Sequence, residues 1–316
     1  MRIVYFGVPD AGLFCLGELL RAKKNIVGIV PPAPSHQMHE LMVETALQNG
    51  IKSVFFEKTL QEQSFLEGLR ELNPDIGVVF TFDHRIPKEV LEIPKLGFIN
   101  YHPSLLPEYR GGSPLFYAIA NRDKKTGITI HYMDESFDTG DIIAKWQTNI
   151  DPDETLGTLF SRMNTQGINM MLDIISGMEK GEFPQRIKQD ISGTYRKAPT
   201  IKIEKGHTLI DWNWEAQYIE AFVRALNPYF GAMSFFRGCD IKIWSGSYVP
   251  NFHDKKVQPG DVYKVSKEAF SIATGKGLFF PHCVQLNNFM ITDVKDFIRR
   301  VNPASGEKLL MNPLQQ

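Results

Sequence analysis

Four short apolar runs in the first hundred residues constrain the fold more than any other feature. They are "RIVYFG" (2–7), "NIVGIV" (25–30), "DIGVVF" (75–80) and "GFINY" (97–101). None alternates cleanly between polar and apolar residues, so each is expected to be a strand buried on both faces. Helix-patterned segments lie between them. "DAGLFCLGELLRA" (10–22) carries Leu13, Leu16, Leu19 and Leu20 at helical spacing, and further helices are expected around 37–49 and over "QEQSFLEGLREL" (61–72). "SVFF" (53–56) reads as one more short strand. Buried strands separated by helices imply a mostly parallel sheet covered on both sides. Such open sheets bind ligands outside the carboxyl ends of their strands. That directs attention to residues 81–84 and 102–112.

The pattern changes after about residue 205. A helix, "WEAQYIEAFVRAL" (214–226), precedes "GAMSFFRG", "CDIKIWSGSYV", "DVYKV", "FSIAT" and "LFFPHCVQL". Short strands separated by close turns predict a small antiparallel barrel. "GEFPQRIKQDISGTYRKAPTIKIEKG" (181–206) has no clear period and reads as a linker. "KLLMNPLQQ" reads as a loose tail. The stretch 154–178, rich in Met and Leu, is expected to be a long helix against the sheet, weakened by Gly157 and Gly167.

Composition narrows the function classes. With 43% hydrophobic and 22% charged residues and a net charge of −1, the chain is not a generally basic nucleic-acid coat. Residues 1–195 hold 25 acids against 19 bases, and residues 196–316 hold 16 bases against 11 acids. The second part is therefore mildly basic. Cys15, Cys239 and Cys283 form no CxxC pair, so neither a zinc ribbon nor a disulfide framework is expected. No apolar run approaches the ~20 residues of a membrane span. The opening residues are patterned as a strand rather than a signal peptide. A cytoplasmic location is the expectation.

The stretch "GFINYHPSLLPEYRGGSP" (97–114) carries the first chemistry. On a strand, Asn100 and His102 share one face. A side-chain amide can donate to an oxygen that becomes negative in a transition state. An imidazole can move a proton near neutrality. Pro103 ends the strand, and Ser113-Pro114 has the form of an N-cap and first helical residue. A lone N-x-H is weak on its own. "GITIHYMDESFDTGDIIA" (127–144) adds an alternating strand and then a turn with Asp134, Asp138 and Asp141. One of these carboxylates beside His102 would orient the imidazole and favour its charged form.

"INYHPSLLPEYRGGSP" followed by "FDTGDII" resembles the 10-formyltetrahydrofolate-dependent formyltransferases, and within them the methionyl-tRNA formyltransferase type, a group that also includes amino-sugar N-formyltransferases. The likeness extends from "MRIVYFGVPD" through "IPKEVLEIPKLGFINYHPSLLP" to "KIEKGHTLIDWNWEAQYIEAFVRALNPYFGA", nearly the whole chain. It implies a Rossmann-like α/β catalytic domain over 1–195, a linker over 196–206 and an OB-like barrel domain over 207–316. It also implies that Asn100, His102 and Asp138 are the catalytic trio. Phe82, Asp83 and His84 would line the pteridine pocket, and Ser104, Leu105, Leu106 and Pro107 would contact the folate. The donor would be 10-formyltetrahydrofolate, with no metal. His36 and His39 of "HQMH" are the nearest metal-like pair, and they lack the HExxH spacing.

The acceptor would be a primary amine. The tRNA-acting type has a long basic loop after its second strand, whereas "PPAPSHQMHELM" (31–42) contains no Lys, Arg or Gly. A polyphosphate partner is normally met by cations. A small amine, such as a nucleotide-linked amino sugar, therefore ranks above Met-tRNA, with tRNA kept as the alternative. Arg110 and Arg122 near the expected mouth are candidates for meeting a phosphate in either case. Three rivals stand beside transfer. A nicotinamide oxidoreductase is weakened because "FGVPDAG" supplies only Gly7 and Gly12 of a GxGxxG pattern. A hydrolase could split the folate with water through the same trio. An RNA-binding protein could stack bases on Trp212, Trp214, Phe235, Phe236 and Trp244, although most of these aromatics fit a barrel core better, and Trp212 and Trp214 packing at a helix cap.

Overall fold

The computed structural model describes residues 1–8, 11–31, 39–55, 60–82, 84–252, 254–287 and 289–311. The chain folds into two compact units. The first comprises 1–114, 126–148 and 161–199, and the second comprises 115–125, 149–160 and 200–316.

The first unit is built on a six-stranded sheet. Its strands are β1 (Arg2–Gly7), β2 (Asn25–Val30), β3 (Ile76–Phe80), β4 (Phe98–His102), β5 (Lys125–Tyr132) and β6 (Ile142–Asn149), in spatial order β2-β1-β3-β4-β5-β6. β1 runs parallel to β2 and β3, and β3 parallel to β4. β5 is antiparallel to β4 and sets Asn100 opposite His131 and His102 opposite Thr129. The continuous apolar runs are the buried strands: every residue of β3 and β4 is buried. On one face Val4, Phe6, Val79 and Phe98 pack with Phe65, Leu66, Leu69 and Val90. These come from helices α3 (Gln63–Glu71) and α4 (Lys88–Leu91). Each such buried side chain contributes roughly 1.5–3 kcal/mol. α1 (Ala11–Arg21) and α2 (His39–Gln48) fall where helical spacing places them. "SVFF" does not form a full strand. Among its described residues only Val54 makes a bridge, to Ile29.

α5 (Pro114–Ala120) begins at the Ser-Pro pair, and α6 (Leu156–Glu179) is the expected long helix. Its glycines have packing reasons. A side chain on Gly167 would collide with the Tyr101 ring, and one on Gly157 with Pro228. Tyr101 in turn stacks on Phe80, with centroids 4.2 Å apart. The two glycines of "FGVPDAG" are likewise spent on packing. A Cβ on Gly7 would meet the Tyr5 ring at 2.8 Å, and one on Gly12 would lie 3.1 Å from Gly7.

The aperiodic segment after α6 is tied to the first unit at points rather than along a ladder. Ile187 bridges Ile142, Lys197 bridges Arg110, and Gln189 and Ala198 are buried. Isolated bridges leave no sequence period, which explains its linker-like appearance.

The second unit carries α7 (Ala216–Leu226) and a seven-stranded antiparallel sheet. Its strands are β7 (Ala232–Phe236), β8 (Cys239–Val249), β9 (Val262–Val265), β10 (Phe270–Ala273), β11 (Leu278–Leu286), β12 (Thr292–Asp293) and β13 (Leu309–Leu310), ordered β13-β7-β8-β11-β10-β9 with β12 beside β11. An isolated Asp261–Lys308 bridge brings the two ends of this path together, so the sheet is curled and barrel-like. Helix α8 (Val294–Val301) is capped by the Asp293 carboxylate, which accepts the Asp296 N–H at 2.9 Å. Trp212 is buried and donates to Ser234 Oγ, and the Trp214 ring packs on Tyr218 and Phe222. These tryptophans are structural. The expected loose tail needs correction within its described part. Leu309 is buried and pairs with Phe236 of β7.

Candidate active site

A cavity opens at the carboxyl ends of β3 and β4, as the strand pattern implies. Val79, Phe82, Ile86 and Met133 form its apolar wall, and Asn100, His131 and Asp138 its polar end. His84 and the exposed Phe137 line it too. Phe82 is fixed edge-on against Phe6, 5.5 Å between centroids. Asp83 lies outside the described residues, as does His36.

The three proposed catalytic side chains converge. Asp138 Oδ1 lies 3.6 Å from His102 Nδ1. Its Oδ2 accepts the Gly111 N–H at 3.0 Å. The double glycine thus brings a backbone donor to the carboxylate. Asp138 itself has φ of +58°, an uncommon conformation for a residue with a side chain. His102 is 4% exposed and stands behind Asp138 rather than on the cavity wall. Its Nε2–H donates to the Tyr109 carbonyl at 2.9 Å. That nitrogen is therefore committed, and only Nδ1 faces the carboxylate. A donation from His102 directly to a substrate oxygen, one of the roles its residue type suggested, finds no open ring nitrogen here.

A fourth residue, His131, belongs to the same cluster. Its Nδ1–H donates to the Tyr132 carbonyl at 2.8 Å, and its Nε2 lies 3.1 Å from Asn100 Nδ2. Asn100 has no acceptor to offer through that nitrogen, so His131 Nε2 must accept, and the ring is neutral. Burial favours the same state and lowers the His131 pKa below 6.5. Nearby Asp138 opposes this shift and His102 reinforces it. His131 Nε2 also lies 3.8 Å from Asp138 Oδ1. The sequence signal was modest. His131 falls on the polar side of an alternating run, but β5 is buried on both faces from Thr126 to Tyr132, and only its pairing opposite Asn100 brings His131 to the site.

Ser104, Leu105, Leu106 and Pro107 form a clamped turn that does not line the cavity. Thr129 Oγ1 donates to the Ser104 carbonyl at 2.7 Å and accepts the Leu106 N–H at 3.1 Å. Ser104 Oγ donates to the Glu108 carbonyl, and Lys145 Nζ to that of Leu106. Arg110 makes a backbone bridge to Lys197 and is also absent from the cavity wall. Arg122 lines a separate cavity of about 460 Å³ in the second unit, with Lys124, Arg224 and Tyr248. Among the described residues no group of three His, Cys, Asp or Glu side chains could hold a metal ion, and no helix is long and apolar enough to cross a membrane.

In the first unit an amide, an imidazole and a carboxylate line one cavity, with a second imidazole behind the carboxylate, a set of groups of the kind that acyl transfer uses. Residues 22–175 match the family model described as formyl transferase, and residues 202–302 match that of the formyl transferase C-terminal domain. A methionyl-tRNA formyltransferase of Clostridioides difficile is 33% identical over 305 residues, spanning 95% of this chain and 96% of that protein. Among solved structures, an N-formyltransferase from Helicobacter canadensis in complex with folinic acid and dTDP-3-aminofucose has a TM-score of 0.62 at 19% identity, covering 88% of this chain and 97% of that one. HypX from Aquifex aeolicus in complex with tetrahydrofolic acid also reaches 0.62 at 19% identity, covering 98% and 48%.

The chain belongs to the formyl transferase family. It is a formyltransferase.

Proposed function

We propose that the chain formylates the α-amine of methionyl-tRNA, with Asn100, Asp138 and His102 as its reacting groups. The observation that carries the site is the Asp138 carboxylate, held between His102 and His131 on the wall shared with Asn100. The observation that carries the acceptor is the match to a methionyl-tRNA formyltransferase over 95% of the chain, second domain included. It reverses the order expected from the segment after β2, which placed a small amine first.

We place the donor, 10-formyltetrahydrofolate, at this cavity: its apolar wall is of the kind that packs on a flat heterocycle, and its polar end holds the Asn100 amide and the Asp138 carboxylate. Phe82 and His84 are assigned to the pterin. We further assign Asp83 to that pocket and Ser104–Pro107 to the floor beneath the folate. Arg110 is assigned to the acceptor side, and the domain division is 1–195, 196–206 and 207–316. Bound there, the folate supplies a formyl carbon activated on N10. The remaining Asn100 N–H meets negative charge growing on the formyl oxygen. Asp138 takes the proton released by the attacking amine, His102 Nδ1 shares it from behind, and the proton is passed to N10 as its bond to the formyl carbon breaks and tetrahydrofolate leaves. The free thiols of Cys15, Cys239 and Cys283 support action in a reducing cytoplasm.

A small amine remains the second reading, because residues 31–42 carry no Lys or Arg. One paired screen decides. Methionyl-tRNA and nucleotide-linked amino sugars are supplied with 10-formyltetrahydrofolate, and tetrahydrofolate and formate release are followed. Turnover of tRNA supports the first reading, turnover of the sugar alone the second, and formate released without any amine a hydrolase.

A further inference from the structure

We propose that Gln189 is a positioning residue for the Asp138 carboxylate; this rests on the role assigned to Asp138. Gln189 lies in the aperiodic segment after α6, two residues beyond the Ile187–Ile142 bridge that fixes the segment to β6. Its side chain is 6% exposed. The single amide nitrogen donates twice, to the Asp138 carbonyl at 3.0 Å and to the Gly140 carbonyl at 2.7 Å. The two accepting carbonyls flank Thr139, so the amide clasps the loop across the residue that follows Asp138. The opposite amide orientation would press an oxygen against two carbonyls and is excluded.

Three features indicate a purpose beyond filling space. Asp138 holds a left-handed backbone, which a residue with a side chain keeps only when its surroundings impose it. The Gln189 Oε1 is buried with no hydrogen-bond partner among the described residues. Burying an unpaired acceptor is unfavourable, and an apolar side chain of similar length would avoid it. The two N–H donations are therefore what the amide provides. Lastly, the far side of the loop is held independently, with Asp134 Oδ1 accepting the Ser136 N–H and the Thr139 hydroxyl. Gln189 completes the restraint on the side nearer the carboxylate. With both restraints in place, Asp138 reaches the Gly111 N–H and faces His102 without having to order the loop on each turnover.

The test compares Gln189→Met with Asp138→Ala and the parent enzyme. Methionine keeps the length and bulk of the side chain and removes the donors. The readouts are kcat with the acceptor turned over in the paired screen, affinity for 5-formyltetrahydrofolate by fluorescence titration, and thermal midpoint. Gln189→Met is expected to lower kcat on the order of 10²-fold, as misplacement of a reacting group does, with folate affinity unchanged and the thermal midpoint lowered only as far as the loss of two hydrogen bonds accounts for. A kcat equal to the parent's overturns the proposal. So does a loss of kcat that merely follows lost folate binding and a lowered midpoint, since that is a structural role. If Asp138→Ala itself remains active, the assignment of Asp138 fails instead, and the two failures are told apart.

Discussion

Asp138 Oδ1 stands 3.6 Å from His102 Nδ1, while the other ring nitrogen of that histidine is tied to the Tyr109 carbonyl. Both nitrogens thus face oxygen, and a proton on Nδ1 points at the carboxylate. His102→Ala and Asp138→Ala are each expected to abolish formyl transfer while the fold persists. Loss of a positioned acid or base typically costs 10²–10⁴-fold, so roughly that much should disappear from kcat. Steady-state kinetics beside circular dichroism check this, and a double variant with full activity would remove the pair from the chemistry.

Asn100 offers one N–H to His131 and has another for the cavity. Asn100→Ala should cost about 3 kcal/mol of barrier, the usual loss for one oxyanion donor. The loss should appear in kcat, with folate affinity little changed. A variant with a raised KM and the parent's kcat would mean that the amide only binds.

His131 makes stability depend on pH. Burial depresses its folded pKa below the 6.5 of an exposed imidazole. The unfolded chain then binds a proton that the folded chain refuses, so stability rises with pH across the window between the two values. The contribution is complete above about pH 6.5 and is lost as pH falls through the folded value. Thermal midpoints measured from about pH 7.5 to 5 should decline, and His131→Gln should flatten the decline. An identical slope in that variant would show that other groups carry the acid sensitivity.

Thr129 holds the Ser104–Pro107 turn through one hydroxyl that both donates and accepts. Thr129→Val leaves a carbonyl and an N–H without that partner, at a cost of about 1–3 kcal/mol for each buried group. If the turn supports the folate, the KM for 10-formyltetrahydrofolate should rise beyond what the lowered thermal midpoint explains. A change in midpoint alone would confine the turn to stability.

Much of the architecture was legible because burial on two faces leaves continuous apolar strands, as in "DIGVVF" and "GFINY". Asn100 and His102 were legible because strand side chains alternate. Asp138 was not resolvable from Asp134 and Asp141 by composition, and the resemblance selected it. His131 and Gln189 escaped for different reasons. His131 has a role only through cross-strand pairing, and pairing is not written in the linear pattern. Gln189 sits among isolated bridges, which have no period at all. Leu309 and Leu310 escaped because two residues are too few to show alternation.

The reversal of β5 against β4 works as a ruler. It sets His131 opposite Asn100 and, six residues beyond Tyr132, delivers Asp138 to His102. Adding or deleting a single residue between Thr129 and His131 would turn that imidazole to the opposite side of the sheet. Length changes in this short span are therefore closed to the enzyme, even where substitutions are not.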